Sequence, residues 1–486
     1  MGGSDGMAGM HAASTLLVLP ELAVLVGAVV TLLLGSFLPR QRQWVSRLLA
    51  VTALLAATVL ALVGATRDAT TAFDGTFAVD TATAVVRVVV CAGTLLVVGL
   101  GVDELGGSPR ESDTYALLLL GTLGALVVAS ADDLLVLAVG FLLSSIPLYA
   151  LVGLPGTARS AEAALKTYLL GALLGIVMLL GVTVLFAVTG GTTYAELAAA
   201  LPGAPPGAVG FGLVAVLAGL MFKAGGVPGH FWVPDAAQGA SVTVAAYLTT
   251  VPKVGALLAT YRLVEAASDG GAAAGTSRLV LVTVGVLAVA SMTLGNLAAF
   301  TQTDPRRLLG WSTVSQVGYV LLPVAVVDGT LALPSLLLYL AGYTVTNLAA
   351  FAVVAAHPGR GALEEWRGLA RAHPWTAGAL VVALLGLVGT PPTAVFAGKL
   401  ATFAAAWDGG AAWLAVVAAV NTVASLFYYL RWVAPVFRAG PLRTDAGVAE
   451  PRPWAGAAAL AGAVGVLAVG LLAGVVVGAG SAGVVR

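Results

Sequence analysis

A lysine lies in the middle of an apolar stretch that is long enough to cross a lipid bilayer, directly before a helix-breaking turn. The stretch begins at Gly210, carries Lys223, and is interrupted by two glycines and Pro228 before a second apolar run that contains Lys253. In lipid every backbone polar group needs a partner, so a break at this depth must be buried or line a wet cavity. A lysine there costs about 2.5–3.5 kcal/mol on insertion scales and marks an ion or proton path by default. Two lysines flanking one break therefore indicate transport.

The composition of the chain fits a lipid solvent. Of its 486 residues, 59% are hydrophobic and only 9% are charged, whereas soluble proteins carry about 25% charged residues. The zero net charge argues against nucleic acid as a partner. The single cysteine, Cys91, excludes Cys-ligated iron–sulfur clusters and disulfides within the chain. We therefore predict an all-α polytopic membrane protein in contact with the lipid bilayer, with no cofactor or metal of its own.

Four histidines are too dispersed to suggest a metal or haem site. They are His11, His230, His357 and His373, and no two of them share an apolar run. The chain also lacks a Ser/His/Asp triad, a P-loop and a metal-spaced cluster. We therefore expect no catalytic residues for bond-making chemistry and no redox chemistry in this chain alone.

Apolar runs separated by turn-rich segments predict fourteen transmembrane helices, since about 20 apolar residues cross a bilayer. The expected spans are residues 15–38, 44–66, 80–101, 113–131, 132–154, 161–188, 208–236, 239–264, 277–300, 307–326, 331–356, 374–399, 411–436 and 453–480. The first run is longer than 20 residues and follows a segment without Lys or Arg. It is therefore expected to be a membrane span rather than a cleaved signal peptide.

Arginine placement predicts the orientation of the chain. The loops after odd-numbered helices hold fourteen arginines, and the other side holds only Arg67, Arg262, Arg278 and Arg486. Cationic loops stay on the cytoplasmic side of a membrane. The sequence therefore predicts that both termini lie outside.

Lysine is confined to the apolar segments. The chain has only four, Lys166, Lys223, Lys253 and Lys399, whereas every loop cation is arginine. Arginine stays charged in proteins, but lysine can lose its proton when it is desolvated. This pattern favours the interpretation that these four positions need a cation that can release its proton. The alternative is that arginine is too large and too costly at those positions.

Several polar residues have two possible roles each. Glu162 and Lys166 are four residues apart and share a helix face, as a structural salt bridge or as part of a proton path. His230 fits an interfacial belt or a proton relay. Lys399, expected near the end of the twelfth span, could extend to the membrane surface. Arg87, in the third span, could reach back to that surface as well.

Two predicted spans are interrupted at corresponding places. Gly225-Gly226 and Pro228 break the seventh, and Gly389-Thr390-Pro391-Pro392 breaks the twelfth. Paired broken helices five spans apart are typical of inverted-repeat transporters. We therefore predict two inverted five-helix repeats, helices 4–8 and helices 9–13. The expected units are residues 1–112, 113–264, 265–437 and 438–486.

These segments resemble the membrane subunits shared by respiratory complex I and Mrp-type cation/proton antiporters. One example is Val-Pro-Gly-His-Phe-Trp-Val-Pro-Asp at residues 227–235. The similar segments are residues 19–21, 133–135, 147–153, 162–166, 222–223, 227–235, 251–253, 295–299, 307–312, 318–322, 347–351, 389–393, 398–399 and 428–431. Each is modest alone, but their order along most of the chain is highly specific.

The resemblance implies a function as well as a fold. It implies fourteen helices with two inverted repeats, and a proton path that runs through Lys223, Lys253 and Lys399, with Lys166 in the same row. It also implies a place in the bacterial cell membrane beside other membrane subunits of complex I. NADH, FMN, iron–sulfur clusters and quinone would be bound by partner subunits. Two alternatives remain: a subunit of an Mrp-type sodium/proton antiporter or membrane-bound hydrogenase, and a structural member of the arm that moves no protons.

The sequence departs from the family pattern at two positions. In the fifth span the family usually has Gly-x-Glu-Leu, whose glutamate modulates the seventh-span lysine. Leu142 stands at that position here. In the tenth span a histidine often precedes Gly-Tyr, and here Gln316 stands two residues before Gly318. Glu162 is the candidate that could replace the missing partner of Lys223.

Overall fold

The computed structural model describes residues 14–269, 274–439 and 451–474 and shows a helical bundle. The helices are α1 (Leu19–Phe37), α2 (Trp44–Gly64), α3 (Thr81–Leu105), α4 (Glu111–Ser130), α5 (Leu134–Gly153), α6 (Ala158–Thr189), α7 (Tyr194–Ala200), α8 (Pro206–Ala224), α9 (Trp232–Gly239), α10 (Val242–Leu248), α11 (Val251–Asp269), α12 (Ala274–Ala299), α13 (Pro305–Val324), α14 (Ala332–Ala356), α15 (Leu369–Ala372), α16 (Pro374–Val388), α17 (Ala394–Asp408), α18 (Ala412–Phe437) and α19 (Pro453–Leu471). A short antiparallel hairpin, β1 (Thr70–Ala72) and β2 (Phe77–Val79), joins α2 to α3.

Within the described residues, twelve helical segments are long and apolar enough to cross a membrane. They coincide with twelve of the fourteen predicted spans, which confirms a polytopic membrane fold. The tenth predicted span is the continuous helix α13, and the twelfth is divided into α16 and α17; neither is among the twelve. The residues at both termini, on which part of the predicted orientation depends, lie outside the described part of the chain.

Three predicted spans have different boundaries in the structure. The seventh is α8 followed by the short helix α9, and the eighth is divided into α10 and α11 at Thr249-Thr250. Pro252 follows that division, and a proline removes a helical hydrogen bond and clashes with the preceding turn. The twelfth was predicted to end at Lys399, but α17 continues to Asp408. Lys399 is therefore inside a helix and only 3% exposed, which excludes the alternative that its side chain extends to the membrane surface.

Two long segments form the centre of the bundle. The segment Val242–Ser268 is completely buried over a stretch of 18 residues, and α14 is nearly as buried. Helices α1, α2, α6 and α19 lie at the periphery and expose many Leu, Val and Ile side chains. An apolar surface of this extent would be unstable in water, and it matches a lipid or protein environment within the membrane.

Two buried ion pairs correct the predictions for Arg87 and Arg262. Arg87 Nε lies 2.8 Å from Glu21 Oε1, and a second bond of 3.0 Å joins the same side chains, so Arg87 links α3 to α1 instead of reaching the surface. Arg262, which was counted as a loop cation, lies inside α11 and bonds Asp80 at 2.8 Å. Without Arg262, the sequence count is three arginines on one side of the membrane and fourteen on the other. The excess of arginines therefore still favours the same orientation.

Candidate proton-transfer site

Lys223 occupies the last turn of α8 and is only 1% exposed. Its Nζ donates a 2.6 Å hydrogen bond to Ser145 Oγ on α5 and lies 5.2 Å from the centre of the Phe141 ring. A hydroxyl acceptor and the negative face of a ring each stabilise an ammonium group, although less than a carboxylate does. The site can therefore hold the lysine with or without its proton.

The end of α8 is the place where Lys253 binds. Gly225, with φ +75°, ends the helix in the left-handed conformation, and Trp232 Nε1 donates to the Phe222 carbonyl at 3.1 Å. The carbonyl of Ala224 accepts a 2.7 Å hydrogen bond from Lys253 Nζ. The carbonyl end of a helix carries partial negative charge, which favours a cation. The Gly/Pro break thus creates the binding position for the second lysine.

Lys399 occupies an equivalent position at the second break. Helix α16 ends at Gly389, with φ +93°, and the carbonyl directly before it, on Val388, accepts a 2.9 Å bond from Lys399 Nζ. The same Nζ lies 3.3 Å from Thr422 Oγ1 and 4.0 Å from the centre of the Tyr319 ring. Both breaks therefore place a buried ammonium on the carbonyl that precedes a left-handed glycine.

In the described part of the chain, no carboxylate oxygen lies within 4.0 Å of Lys223, Lys253 or Lys399. Among the residues that the structure describes, every ion pair within 4.0 Å involves other cations. The partners of Lys223, Lys253 and Lys399 are hydroxyls, carbonyls and aromatic rings. A buried lysine without a counter-charge can release its proton at a far lower free-energy cost than one in an ion pair.

A row of buried polar side chains on α13 and α14 lies between the two breaks. The sequence analysis singled out only Gln316 of this row and missed the others. The Tyr343 hydroxyl bonds the Thr249 carbonyl at 2.7 Å and Thr313 Oγ1 at 3.0 Å. One turn away, Gln316 accepts a 2.5 Å bond from the Tyr339 hydroxyl and donates to the Leu387 carbonyl at 3.0 Å. The row could have been recognised in the sequence, because its polar residues recur three or four positions apart, as do Tyr339 and Tyr343, and therefore share one face of a helix.

Lys166 does not join the buried lysines. Its side chain is 48% exposed on α6 and lies 2.7 Å from Glu162 Oε1 and 2.9 Å from Asp235 Oδ2. Arg307, at the start of α13, bonds the other oxygen of Asp235 at 2.5 Å. The predicted Glu162–Lys166 pair is therefore present. Glu162 contacts Lys166 at the exposed surface, whereas the buried Lys223 bonds Ser145, so in this structure Glu162 does not take the place of the missing carboxylate.

His230 lies in the turn between α8 and α9. It is 4% exposed, packs its ring 4.1 Å from that of Phe231, and has no hydrogen-bond partner for Nδ1 within the described residues. A buried ring at the first break fits an exposed belt poorly. His230 therefore lies in the interruption between α8 and α9, seven residues after Lys223.

Leu142 stands on α5, one residue after the Phe141 that faces Lys223, and 44% of it is exposed. It is therefore on the outer part of the helix, whereas Ser145 supplies the polar contact to Lys223. Gln316, the other departure from the family pattern, is fully inside the bundle and bridges α13, α14 and α16.

The sequence analysis treated all four histidines as separate, but the structure brings two together. The rings of His357 and His373 are 5.1 Å apart, and His357 Nε2 lies 3.0 Å from Thr376 Oγ1. Burial lowers the pKa of His357 to about 4, and nearby His373 and Arg360 act in the same direction. His357 is therefore neutral at pH 7.

This pKa predicts a loss of stability in acid. An unfolded histidine binds its proton near pH 6.5, so the contribution of neutral His357 is complete above that pH and is lost as the pH falls towards 4. We expect the free energy of unfolding to fall by about 2 kcal/mol between pH 7.5 and pH 5, at about 1.4 kcal/mol per pKa unit. Denaturant unfolding in detergent should show a smaller loss in His357→Gln. An identical loss in both proteins would contradict the assignment.

The fold and the lysine contacts define the class as a polytopic membrane protein with two interrupted helices, each of which ends beside a buried lysine. The comparisons with known proteins identify the family. Residues 131–425 match the model described as NADH:quinone oxidoreductase/Mrp antiporter, TM. The chain is 56% identical to NADH-quinone oxidoreductase subunit N of Mycobacterium sp. (strain JLS), over 94% of this chain and 97% of that protein. It is 52% identical to NADH-quinone oxidoreductase subunit N 1 of Streptomyces griseus, over 95% and 96%. The chain belongs to this family.

Solved structures agree with the family assignment. A chain of respiratory complex I from Thermus thermophilus with bound aureothin matches with a TM-score of 0.80 and 33% identity, over 94% of this chain and 98% of that one. A chain of the Mrp complex from Dietzia sp. DQ12-45-1b matches with a TM-score of 0.81 over 97% of both chains. At 24% identity, the second likeness shows the fold alone.

Proposed function

We propose that this chain is an antiporter-like membrane subunit of a bacterial NADH-quinone oxidoreductase, the counterpart of subunit N, and that it moves protons across the cell membrane. Partner subunits would bind NADH, FMN, iron–sulfur clusters and quinone, and other membrane subunits would cover part of its apolar surface. The near full-length similarity to the Mycobacterium protein supports this assignment. The observation that supports the proton-transport role is the presence of three buried lysines at two helix breaks, with no carboxylate beside them among the described residues.

The proton path would include an exposed end and a buried part. Lys166 and Glu162 would form the exposed end, and Lys223 and Lys253 would exchange the proton at the first break. His230, in the turn that follows α8, would belong to the same part of the path. From there the polar side chains of α13 and α14 lead towards the second break. Lys399 would be the last buried carrier.

We also propose that the bundle contains fourteen spans with two inverted repeats. Helix α13 and the broken pair α16–α17 would supply the two spans beyond the twelve, and helices 4–8 would be related to helices 9–13. The matching lysine contacts at Gly225 and Gly389 support this relation. The units would be residues 1–112, 113–264, 265–437 and 438–486.

The direct test of the function is a change at Lys399. Lys399→Gln keeps a donor for the Val388 carbonyl but cannot carry a proton, so we expect proton uptake per NADH oxidised to fall in inverted membrane vesicles. Arg371→Ala, which removes an exposed positive charge, is the matched control and should leave uptake unchanged. Normal uptake by Lys399→Gln in an assembled complex would support the structural, non-pumping alternative.

The proposed orientation, with both termini outside, can be tested by labelling. The exposed loop residue Gly361 should face the cytoplasm, and the exposed residue Ala69, directly before the hairpin, should face the outside. An impermeant thiol reagent added to intact cells should therefore label Ala69→Cys and not Gly361→Cys. Cys91 is fully buried and gives no background. The reverse labelling pattern would overturn the orientation.

A further inference from the structure

The charged form of Lys399 has three N–H groups, and the structure places three acceptors around them. A protonated lysine donates through these three groups and has no lone pair. Its Nζ lies 2.9 Å from the Val388 carbonyl, 3.3 Å from Thr422 Oγ1 and 4.0 Å from the centre of the Tyr319 ring. These partners come from three different helices, α16, α18 and α13. The ammonium of Lys399 is therefore stabilised by neutral groups on three sides.

The ring of Tyr319 lies closer to its lysine than the rings beside the other two buried lysines. The distance to Lys399 Nζ is 4.0 Å, whereas the rings beside Lys223 and Lys253 lie 5.2 and 5.3 Å away. The negative face of a ring attracts a cation within about 6 Å, and more strongly where water is excluded. Tyr319 is buried, and its ring is stacked on that of Tyr339 at 6.4 Å. The ring is thus held in place beneath the ammonium.

Thr422 is the one partner of these three that can also donate a hydrogen bond. A backbone carbonyl and a ring face only accept, whereas a threonine hydroxyl has one proton and two lone pairs. Thr422 Oγ1 accepts from Lys399 and donates to the Tyr319 hydroxyl at 3.3 Å. A neutral lysine gains a lone pair that needs a donor. Thr422 can supply that donor by turning its proton from the Tyr319 oxygen to Lys399 Nζ.

We propose that Tyr319 and Thr422 are positioning residues that keep Lys399 in one place while it binds and releases its proton. With the proton bound, the ring face of Tyr319 and a lone pair of Thr422 stabilise the ammonium. With the proton released, the Thr422 hydroxyl turns and donates to the amine, so Nζ stays beside the Val388 carbonyl. Neither side chain carries the transferred proton. This inference rests on the proposed proton-transport function.

The hydroxyl is tested by two Thr422 variants in the assembled complex, as proton uptake per NADH oxidised in inverted vesicles. Thr422→Val keeps the shape of the side chain without the hydroxyl. It should lower the uptake that this chain carries about three- to tenfold, which corresponds to one neutral hydrogen bond. Thr422→Ser keeps the hydroxyl and loses a methyl group, and it should keep uptake near the parental value. A purely packing role predicts the opposite order, because serine leaves the larger gap.

The matched control for the hydroxyl is a buried threonine that bonds only its own helix. Thr346 on α14 donates to the Gly342 carbonyl at 2.6 Å. Thr346→Val removes this hydroxyl without touching Lys399, so it should keep parental uptake.

The ring is tested by Tyr319→Leu and Tyr319→Phe in the same assay. Tyr319→Leu removes the ring and should lower the uptake that this chain carries about tenfold, as expected for one desolvated cation–π contact. Tyr319→Phe keeps the ring face and should stay near the parental value. Phe403 on α17 packs its ring 6.4 Å from that of Tyr319. Phe403→Leu leaves a similar gap beside Tyr319 and keeps the ring under Lys399, so it is the control and should keep parental uptake.

Lys399→Gln gives the reference for loss of the carrier itself. If Lys399→Gln is deficient while Thr422→Val and Tyr319→Leu match their controls, the positioning role is overturned and the proposed function stands. Uptake by Thr422→Val above that of Thr422→Ser would also overturn the positioning role. Normal uptake by Lys399→Gln would overturn both proposals. If Tyr319→Leu does not assemble, the two Thr422 variants decide, since neither removes more than one methyl group.

Discussion

Lys223→Ala is expected to abolish proton translocation through this chain while the complex still assembles. The substitution removes the titratable group at the end of α8, and Ser145 keeps its bond to the Phe141 carbonyl, so no buried polar atom loses its only partner. Loss of a buried charge without an ionic partner also removes a desolvation cost from the fold. We expect proton uptake per NADH oxidised to fall at least tenfold for the share that this chain carries. Electron transfer from NADH to an artificial acceptor should stay normal.

Lys223→Arg separates a proton carrier from a fixed charge. Arginine keeps the positive charge but does not release its proton in a protein. The variant should therefore fail nearly as badly as Lys223→Ala in the same vesicles. A Lys223→Arg complex that pumps at the parental rate would show that the position needs a cation and not a proton carrier.

Local sequence patterns predicted the helices and the breaks well, because both depend on nearest neighbours in the chain. Runs of about 20 apolar residues gave twelve spans that the structure contains. The glycines and prolines at residues 225–228 and 389–392 gave both interruptions. Boundaries were less accurate where a helix ends in a short second piece. The twelfth span continues nine residues beyond its predicted end, because Lys399 is covered by other helices instead of reaching water.

The partners of the buried charges could not be predicted, because they come from helices that are distant in the sequence. Arg87 finds Glu21 66 residues away, and Lys253 finds a backbone carbonyl 29 residues away. Hydropathy shows that these residues are charged groups within apolar spans, but it does not show which helices pack against each other. For Lys166, hydropathy wrongly predicted burial, because the residue lies in an apolar run although its side chain is about half exposed. Lys166 is near the start of a 32-residue helix, which is longer than a bilayer is thick.

The family resemblance added residue roles that the composition could not give, and the structure shows where they need adjustment. It implied a carboxylate partner for Lys223, and Glu162 was the candidate at hand. Glu162 bonds Lys166 instead, and the polar partner of Lys223 is Ser145. A hydroxyl stabilises the charged lysine less than a carboxylate does. The proposed path therefore uses lysines that are poised to lose their protons rather than lysines that are locked in ion pairs.

Gly225→Ala should disconnect Lys253 from the end of α8. A Cβ at this position would stand 2.3 Å from Lys253 Nζ and 2.7 Å from Val233 Cγ2. The lysine must therefore leave the Ala224 carbonyl and lose a hydrogen bond to a charged group, which contributes about 1.5–3 kcal/mol. At about 1.4 kcal/mol per factor of ten, we expect proton translocation through this chain to fall about tenfold or more.

Gly190→Ala isolates this effect from backbone strain. Gly190 ends α6 with φ +77°, close to the φ of +75° at Gly225, but no atom lies within 4 Å of an added Cβ. Both variants therefore carry a similar cost for a non-glycine residue in the left-handed conformation, of about 1–2 kcal/mol. Gly190→Ala should lower thermal stability in detergent by that cost alone, whereas Gly225→Ala also loses the Lys253 hydrogen bond and should lower it further. Only Gly225→Ala should lose proton uptake per NADH oxidised. Equal uptake by the two variants would mean that the contact between Lys253 and the α8 carbonyl has no part in proton transfer.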